Sequence, residues 1–431
     1  MGGSSIGENR RDELGGRPCG RLAASVPYGH RMAALAFFLS FTSGALYLYS
    51  RGIFVRDQIV DFEASRTEIS LAFAAVQVVG FMFAPILGHL LDRYPIRNVM
   101  TVGAAWLGCG FFVMSTAASV REFALMSVAF IGLGSSTIGA SANSKLMVNW
   151  FDRHRGMALS VSIMGYSIAG MAMAPVAVYL LDTLGWRGAY VLFGAICLLV
   201  VAPVVALTVR QRPSAPAGQS ADTPAAGRVP DSRVMYRTFA KSAPFWGAVI
   251  AFGLMTGVQA GLNLHLFLHY TELGLDEYAA ASILTVSAAF GLACKPLFGA
   301  LIDRCGARTA ILTMMACCST ALLGFALASS HALLFVAGAW YGLAFAGLMP
   351  LQAEYLSRLF GERAFGRAFG SLRLCSFPLA VACTPLIGHV YDRSGSYVPA
   401  FYILLALFLG ITAIAWLSIP TSRRDALRSR Q

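Results

Sequence analysis

Charge is what this chain lacks. Only 13% of its 431 residues are Asp, Glu, Lys or Arg, about half the share of an average soluble domain. Hydrophobic residues make up 57%, and the mean hydropathy is +0.65. Two or three soluble domains, the usual outcome at this length, cannot cover their surfaces with so few polar groups, so a soluble multidomain enzyme is excluded. Strands alternating apolar and polar residues are missing, which excludes an outer-membrane barrel. The nine cysteines form no C-x-x-C pair and lie mostly in apolar runs; they read as packing residues, with no disulfide or metal framework. A Walker-type glycine loop is absent, which argues against direct ATP driving. No His, Asp or Cys cluster marks an enzyme site, and nothing calls for a cofactor. A basic surface with aromatic or motif support is also missing, so the net charge of +12 does not imply a nucleic-acid partner.

What is present is a series of apolar runs, each long enough to cross a bilayer. Twelve are read, at about 33–54, 69–91, 98–119, 122–148, 157–181, 188–209, 244–270, 279–302, 308–329, 331–357, 367–391 and 397–419. Lipid leaves no partner for free backbone groups, so each is expected to be helical. The expected class is an all-α membrane protein. Residues 1–30, with Arg10, Arg11, Arg17 and Arg21 but no apolar core, read as a disordered cytoplasmic leader and not as a signal peptide. Residues 210–243, rich in Pro, Ala, Gly and Ser, read as a flexible linker. They separate six-helix units at 31–209 and 244–419, and 420–431 form a tail. With the termini and even-numbered junctions on one side, that side holds 24 cations against 6 on the other, and three lie within spans. The positive-inside rule then puts both termini in the cytoplasm. The Arg-heavy, Ala- and Gly-rich composition suggests a bacterial inner (plasma) membrane.

The two units repeat each other. FAPILGHLLDRYPIR (83–97) parallels ACKPLFGALIDRCGAR (293–308), with Pro85/Pro296, Gly88/Gly299, Asp92/Asp303, Arg93/Arg304 and Arg97/Arg308 all offset by 211. Gly156, Pro175, Asp182 and Gly185 pair with Gly366, Pro385, Asp392 and Gly395 at an offset of 210. Two motifs at nearly one offset mark a duplicated six-helix unit.

The repeated G-x-x-x-D-R-x-x-x-R turn resembles the signature of the major facilitator superfamily. That resemblance implies two pseudo-symmetric six-helix bundles, in which the glycines allow close helix approach and Asp92, Arg93, Arg97, Asp303, Arg304 and Arg308 lock neighbouring helix ends as gating residues. YSRGIFVRDQIVDFEASRTEIS (49–70), NWFDRHRGMALSVSIMGYSIAG (149–170), LGWRGAYVLFG (184–194), YTELGLDEYAA (270–280) and RLFGERAFGRAFG (358–370) are similar to its monocarboxylate-transporter and oxalate/formate-antiporter branch.

Symmetry then filters the charges inside the spans, where each costs at least ~2.5–3.5 kcal/mol on insertion scales. Lys295 has Ala84 as its mate, so the scaffold does not require it. The resemblance implies a cation here that pairs with a substrate carboxylate; the branch usually has Arg, and Lys offers a point charge instead of a fork. A lysine snorkelling or paired for packing is the rival reading. Arg373, opposite Ile163, is a candidate second carboxylate ligand or an interhelical salt-bridge partner. Lys145 is a candidate substrate ligand, or lies close enough to Trp150 to snorkel; its approximate mate is Glu354, so a repeated gating position of opposite charge is a further reading. Arg51 ends the first helix, where the branch implies a Lys contacting substrate; an interfacial anchor is the alternative. His265 and His269 share a helix face at i, i+4 but lack a third metal ligand, which leaves substrate hydrogen bonding, proton relay or an interface role. Tyr47, Asn143, Asn263 and Gln77 either line a cavity or join helices. In proton-coupled monocarboxylate carriers an Asp precedes the helix-8 cation by one turn; Gly291 stands there, so coupling would fall to Glu354 or a histidine.

The sequence therefore points to a secondary transporter of a small organic anion, a mono- or dicarboxylate, working by alternating access as a monomer in the bilayer, with a proton or counter-anion as co-substrate. The rivals are multidrug or neutral-solute efflux, which needs an inward-facing acid, and a transporter-like sensor, which needs a signalling domain.

Overall fold

The structure is a computed structural model that describes residues 26–151, 155–209, 241–328, 330–360 and 365–418. Nearly all of the expected leader, linker and tail lies outside these residues. The first helix begins at Val26, within the stretch expected as leader. The described chain is almost wholly helical. Ten stretches are long and apolar enough to cross a membrane; one of them, Met157–Thr208, breaks at Gly185 and supplies two crossings, and the shorter apolar helix Val398–Ala413 completes twelve.

In chain order, α1 runs Val26–Ser43, through a π-helical turn Gly44–Tyr49, into Arg51–Asp61. Helix α2 is Arg66–Arg93 and α3 is Ile96–Ser115. Helix α4 passes from Val120–Met126 through a second π-helical turn, Ser127–Gly132, to Ala140–Trp150. Helices α5 and α6 share Arg155–Ile196, and α6 continues to Thr208. In the second half, α7 is Ala243–Glu272, α8 and α9 share Glu277–Leu327, and α10 spans His331–Phe345 and Leu348–Phe360. Helix α11 is Phe365–Ser394 and α12 is Val398–Ser418.

Local chemistry sets these limits. Ser65 and Glu68 form a reciprocal capping box at the start of α2, which satisfies two orphan donors. Asp276 accepts from the Ala279 N–H at 2.5 Å to open α8. Gly185 (φ 66°) and Gly395 (φ 70°) end α5 and α11, a conformation that costs glycine nothing. These two are the repeated glycines of the sequence, so the duplication extends to backbone geometry.

Even numbers of crossings place the start of α1 and the end of α12 on one face, here the termini face, with the far face opposite. The halves meet through α2 on α11, α5 on α8 and α1 on α7. At the far face they touch closely: a Cβ on Gly52 would lie 2.4 Å from the Asn263 carbonyl oxygen, and one on Gly388 2.7 Å from that of Arg66. Towards the termini face the seam opens. A Cβ at Gly88, Gly299 or Gly370 meets nothing within 4 Å. Gly88 and Gly299, expected to allow close helix approach, therefore have open space beside them in this conformation.

Candidate functional site

The seam carries most of the membrane-embedded polarity. Near the far end of α1, Arg51 is only 3% exposed. Its guanidinium lies 5.4 Å from the centroid of the Tyr47 ring and 5.7 Å from that of Phe73. Tyr47 precedes it by one helical turn, and α2 supplies Phe73. Among the described residues no partner meets its Nε or the Tyr47 hydroxyl at ordinary hydrogen-bond geometry, the guanidinium and that hydroxyl lie close to each other, and no carboxylate pairs with Arg51. Ring faces stabilise a cation by about 0.5–2 kcal/mol, well short of the several kcal/mol that burying an ion costs. This is a buried cation with spare capacity for an anion.

Deeper in the seam, half-buried Lys295 of α8 reaches the opposite half, and its Nζ donates to Ser167 Oγ of α5 at 2.5 Å. An ammonium has three donors, and a hydroxyl neutralises none of its charge. One residue pair further out, Thr285 Oγ1 donates to the Met171 carbonyl at 3.1 Å, so α5 and α8 are tied at two levels. Arg373 is exposed on α11, 5.5 Å from the Phe369 ring centroid and 3.6 Å from Met349 Sδ.

His265 is enclosed at the far end of the seam. Its Nε2 lies 3.1 Å from Ser70 Oγ and 3.2 Å from the Thr384 carbonyl oxygen, and its Nδ1 lies 3.3 Å from the Tyr397 hydroxyl. A carbonyl only accepts, so Nε2 carries the proton in this arrangement and Nδ1 accepts from Tyr397. The Tyr397 hydroxyl in turn accepts from Arg66 of α2. Arg66 also pairs with Glu272 and lies 3.6 Å from the Tyr391 ring centroid. His269, one turn on, packs edge-on against Phe401 at 4.9 Å. Neither histidine is part of a metal cluster among the described residues.

Other candidates make contacts between or within helices. Asn143 donates to Ser40 Oγ at 3.0 Å and to the Ile138 carbonyl at 3.1 Å, which fixes α4 on α1. Lys145 Nζ donates to the Leu91 carbonyl at 2.5 Å, at the end of α2, where a cation complements the helix dipole. Glu354, in the last turns of α10, pairs with Arg358 at 2.6 Å, and both side chains are nearly half exposed. Arg93, Arg97, Asp303 and Arg304 are exposed, Arg308 is half-buried, and the side chain of Asp92 lies outside the described residues.

Sequence reasoning missed Arg66, Glu272, Tyr391 and Tyr397. Their one signal was Asp392, kept in both halves, which the structure sets against the start of α2.

The sequence profile described as Major Facilitator Superfamily matches residues 32–370 and 270–431. Monocarboxylate transporter 13 of Rattus norvegicus is 24% identical over 410 residues, covering 93% of each chain. Monocarboxylate transporter 11 of Mus musculus is 28% identical over 394 residues, covering 89% of this chain and 85% of its own. A bacterial homolog of the human lysosomal transporter Spinster, solved in an inward-facing and unoccupied conformation, superposes with a TM-score of 0.72 at 16% identity, covering 94% of this chain and 99% of that one. The twelve-helix, two-bundle fold and the profile match over both halves agree, and the chain belongs to the major facilitator superfamily of membrane transporters.

Proposed function

We propose that this transporter carries a small organic anion, a mono- or dicarboxylate, by alternating access. The observation that carries the reading is Arg51, a buried guanidinium without a carboxylate partner among the described residues. Lys295, held among the described residues by a hydroxyl, supplies a second positive charge further along the seam. Together they favour an anion over a cationic or neutral solute, and the acid that cationic drugs would need, Glu354, is already engaged with Arg358. The monocarboxylate-transporter names of the relatives agree with a carboxylate. The two cations face different fates as the halves rock: Arg51 is sealed under the closed far face, whereas Lys295 lies where the seam widens.

The 24-to-6 charge bias supports a plasma-membrane orientation with cytoplasmic termini; the far face is then external and this conformation opens inward. Gly291 stands one turn before Lys295, where a Cβ would lie a tight 3.2 Å from the Gly342 carbonyl oxygen, so that position supplies no carboxylate. Anion exchange or uniport follows more readily than proton symport by that route.

Counterflow in proteoliposomes tests the reading. Purified protein is loaded with a panel of unlabelled mono- and dicarboxylates and supplied with a labelled one, with and without a pH gradient. Lys295→Gln and Arg51→Gln are expected to lose counterflow while remaining monodisperse in detergent. Undiminished carboxylate counterflow by both variants would sink the anion assignment.

A further inference from the structure

One repeated feature of the sequence remains without a role in binding: the Asp-x-x-Gly ending of α5 and α11, Asp182–Gly185 and Asp392–Gly395. In both places the glycine turns the chain with a positive φ. In both, the aspartate lies at the far-face seam and accepts from the other half. Asp392 of the second half receives the Arg66 N–H at 3.1 Å, the Thr67 N–H at 2.8 Å and the Thr67 hydroxyl at 2.5 Å, all from the first turn of α2. Asp182 of the first half receives the Tyr278 hydroxyl at 2.9 Å, from the first turn of α8. Helices α2 and α8 are themselves symmetry mates.

The two posts are unequal. Asp392 caps a helix N-terminus across the seam, where free N–H groups and the helix dipole favour an anion. The Arg66 guanidinium beside it adds Glu272 and Tyr397 of the second half to the same knot. Asp182 has one phenol, and it shares its corner with the like charges of Asp57 and Glu277; Arg56, at 2.5 Å from Glu277, offsets part of that repulsion.

We propose that Asp182 and Asp392 are the paired posts of the external gate, each holding the first turn of the opposite half's helix, and that the Asp392 post sets how often the carrier opens outward. Rocking the halves apart at this face breaks three Asp392 hydrogen bonds and the Arg66 contacts at one post, against one Asp182 hydrogen bond and the Arg56–Glu277 pair at the other. The inference rests on the alternating-access reading above and is indifferent to what is carried.

Single-molecule distance measurement on the full chain in lipid nanodiscs tests it, without substrate and again with a carboxylate panel. Dyes are placed on genetically encoded keto amino acids at Val60 and Leu273, which are 72% and 43% exposed near the far ends of α1 and α7; no native cysteine is disturbed. Asp392→Asn is expected to raise the ratio of long-distance to short-distance molecules at least tenfold, and Asp182→Asn two- to threefold. Gly388→Ala gives the same result without touching a charge, because its Cβ wedges against the Arg66 carbonyl at 2.7 Å; it also stands in if Asp392→Asn fails to fold. Wild-type populations in both Asp392→Asn and Gly388→Ala would overturn the proposal, as would a larger effect from Asp182→Asn than from Asp392→Asn. Failure of alternating access shows up differently, as a wild-type chain with a single distance that no substrate moves.

Discussion

Gly52→Ala is the sharpest single-atom perturbation of the closed far face. The added Cβ would lie 2.4 Å from the Asn263 carbonyl oxygen and 3.3 Å from that of Leu264. Both obstacles are backbone, so no side chain can swing aside. Ordinary contact begins at 3.4 Å, and α1 and α7 must separate by about 1 Å in a seam packed as tightly as a protein core. Overpacking of this kind costs ~1–3 kcal/mol. The cost falls on the closed state alone, because opening outward parts α1 from α7. As a shift in population it corresponds to about 5–150-fold towards the open form. Ser70 reports it: it is fully buried and hydrogen-bonded to His265 beneath the gate, and reaches solvent on the far side only when the gate parts. In right-side-out vesicles, a Ser70→Cys thiol reacts with a membrane-impermeant maleimide at a rate proportional to the open fraction, read as the excess over the parent's nine native cysteines. Gly52→Ala is expected to raise that rate ~5–150-fold. Gly88→Ala, with nothing within 4 Å of the new Cβ, is expected not to raise it. Equal rates for Gly52→Ala and Gly52 would refute the reading of this contact as a gate contact.

Other outcomes follow from the same geometry. Lys295→Arg keeps the charge and is expected to retain carboxylate counterflow with an altered KM, whereas Lys295→Met, of similar length, abolishes it; equal transport by both would remove the charge from the mechanism. Lys145→Gln loses the ammonium that closes the α2 carbonyl at Leu91 and should lower thermal stability by about 0.5–2 kcal/mol without changing substrate Kd, as read by thermal-shift titration. Glu354→Gln removes an exposed i, i+4 pair worth ~0.3–0.5 kcal/mol; transport and its response to a pH gradient are expected to stay within about twofold of wild type, and a lost response would restore Glu354 as a coupling acid. His265→Leu removes the imidazole from the Thr384 carbonyl and leaves the Tyr397 hydroxyl with Arg66 alone, its proton without an acceptor, at ~1–3 kcal/mol for each group left unsatisfied, measurable as a fall in melting temperature.

The crossings were legible because length and hydropathy alone decide what spans a bilayer, and the duplication because two motifs recur at one offset. Lys295 was legible as a charge whose symmetry mate, Ala84, carries none, and Arg51 as the cation at a helix end where the resemblance implies substrate contact. What a hydropathy run does not reveal is the face on which a residue sits. Glu354 read as embedded, and its carboxylate is paired with Arg358 one turn on. Asn143 read as lining a cavity or joining helices, and its amide meets Ser40 and two α-helical carbonyls. The far-face knot was hidden for another reason. Arg66 meets Glu272, Asp392 and Tyr397 more than 200 residues away, and no local pattern encodes that pairing. The repeated Asp182 and Asp392 were visible, but as scaffold, since nothing in a single sequence says that a conserved geometry lies on a moving seam.

The charges divide by what each must do during rocking. A gate has to close firmly and still open, so it is built from partly exposed pairs, each worth about 0–1 kcal/mol at a surface. When Arg66 leaves Glu272, or Thr67 leaves Asp392, water replaces the lost partner and no ion is stranded. The same contacts buried in the centre would be far costlier to break, because each separation would leave an unpaired ion out of water. Arg51 poses the opposite problem. A protein carboxylate fixed against it would have to be displaced by every substrate molecule, so aromatic faces that hold it weakly leave the greater part of its charge for a mobile anion. On the proposed reading, repetition follows from this division: the posts occur twice because both halves must be held, whereas the proposed binding cations occur once because one anion passes at a time. A carboxylate introduced beside Arg51, as in Phe73→Glu, is therefore expected to abolish counterflow while raising thermal stability, an opposite pairing of effects from that of any gate variant.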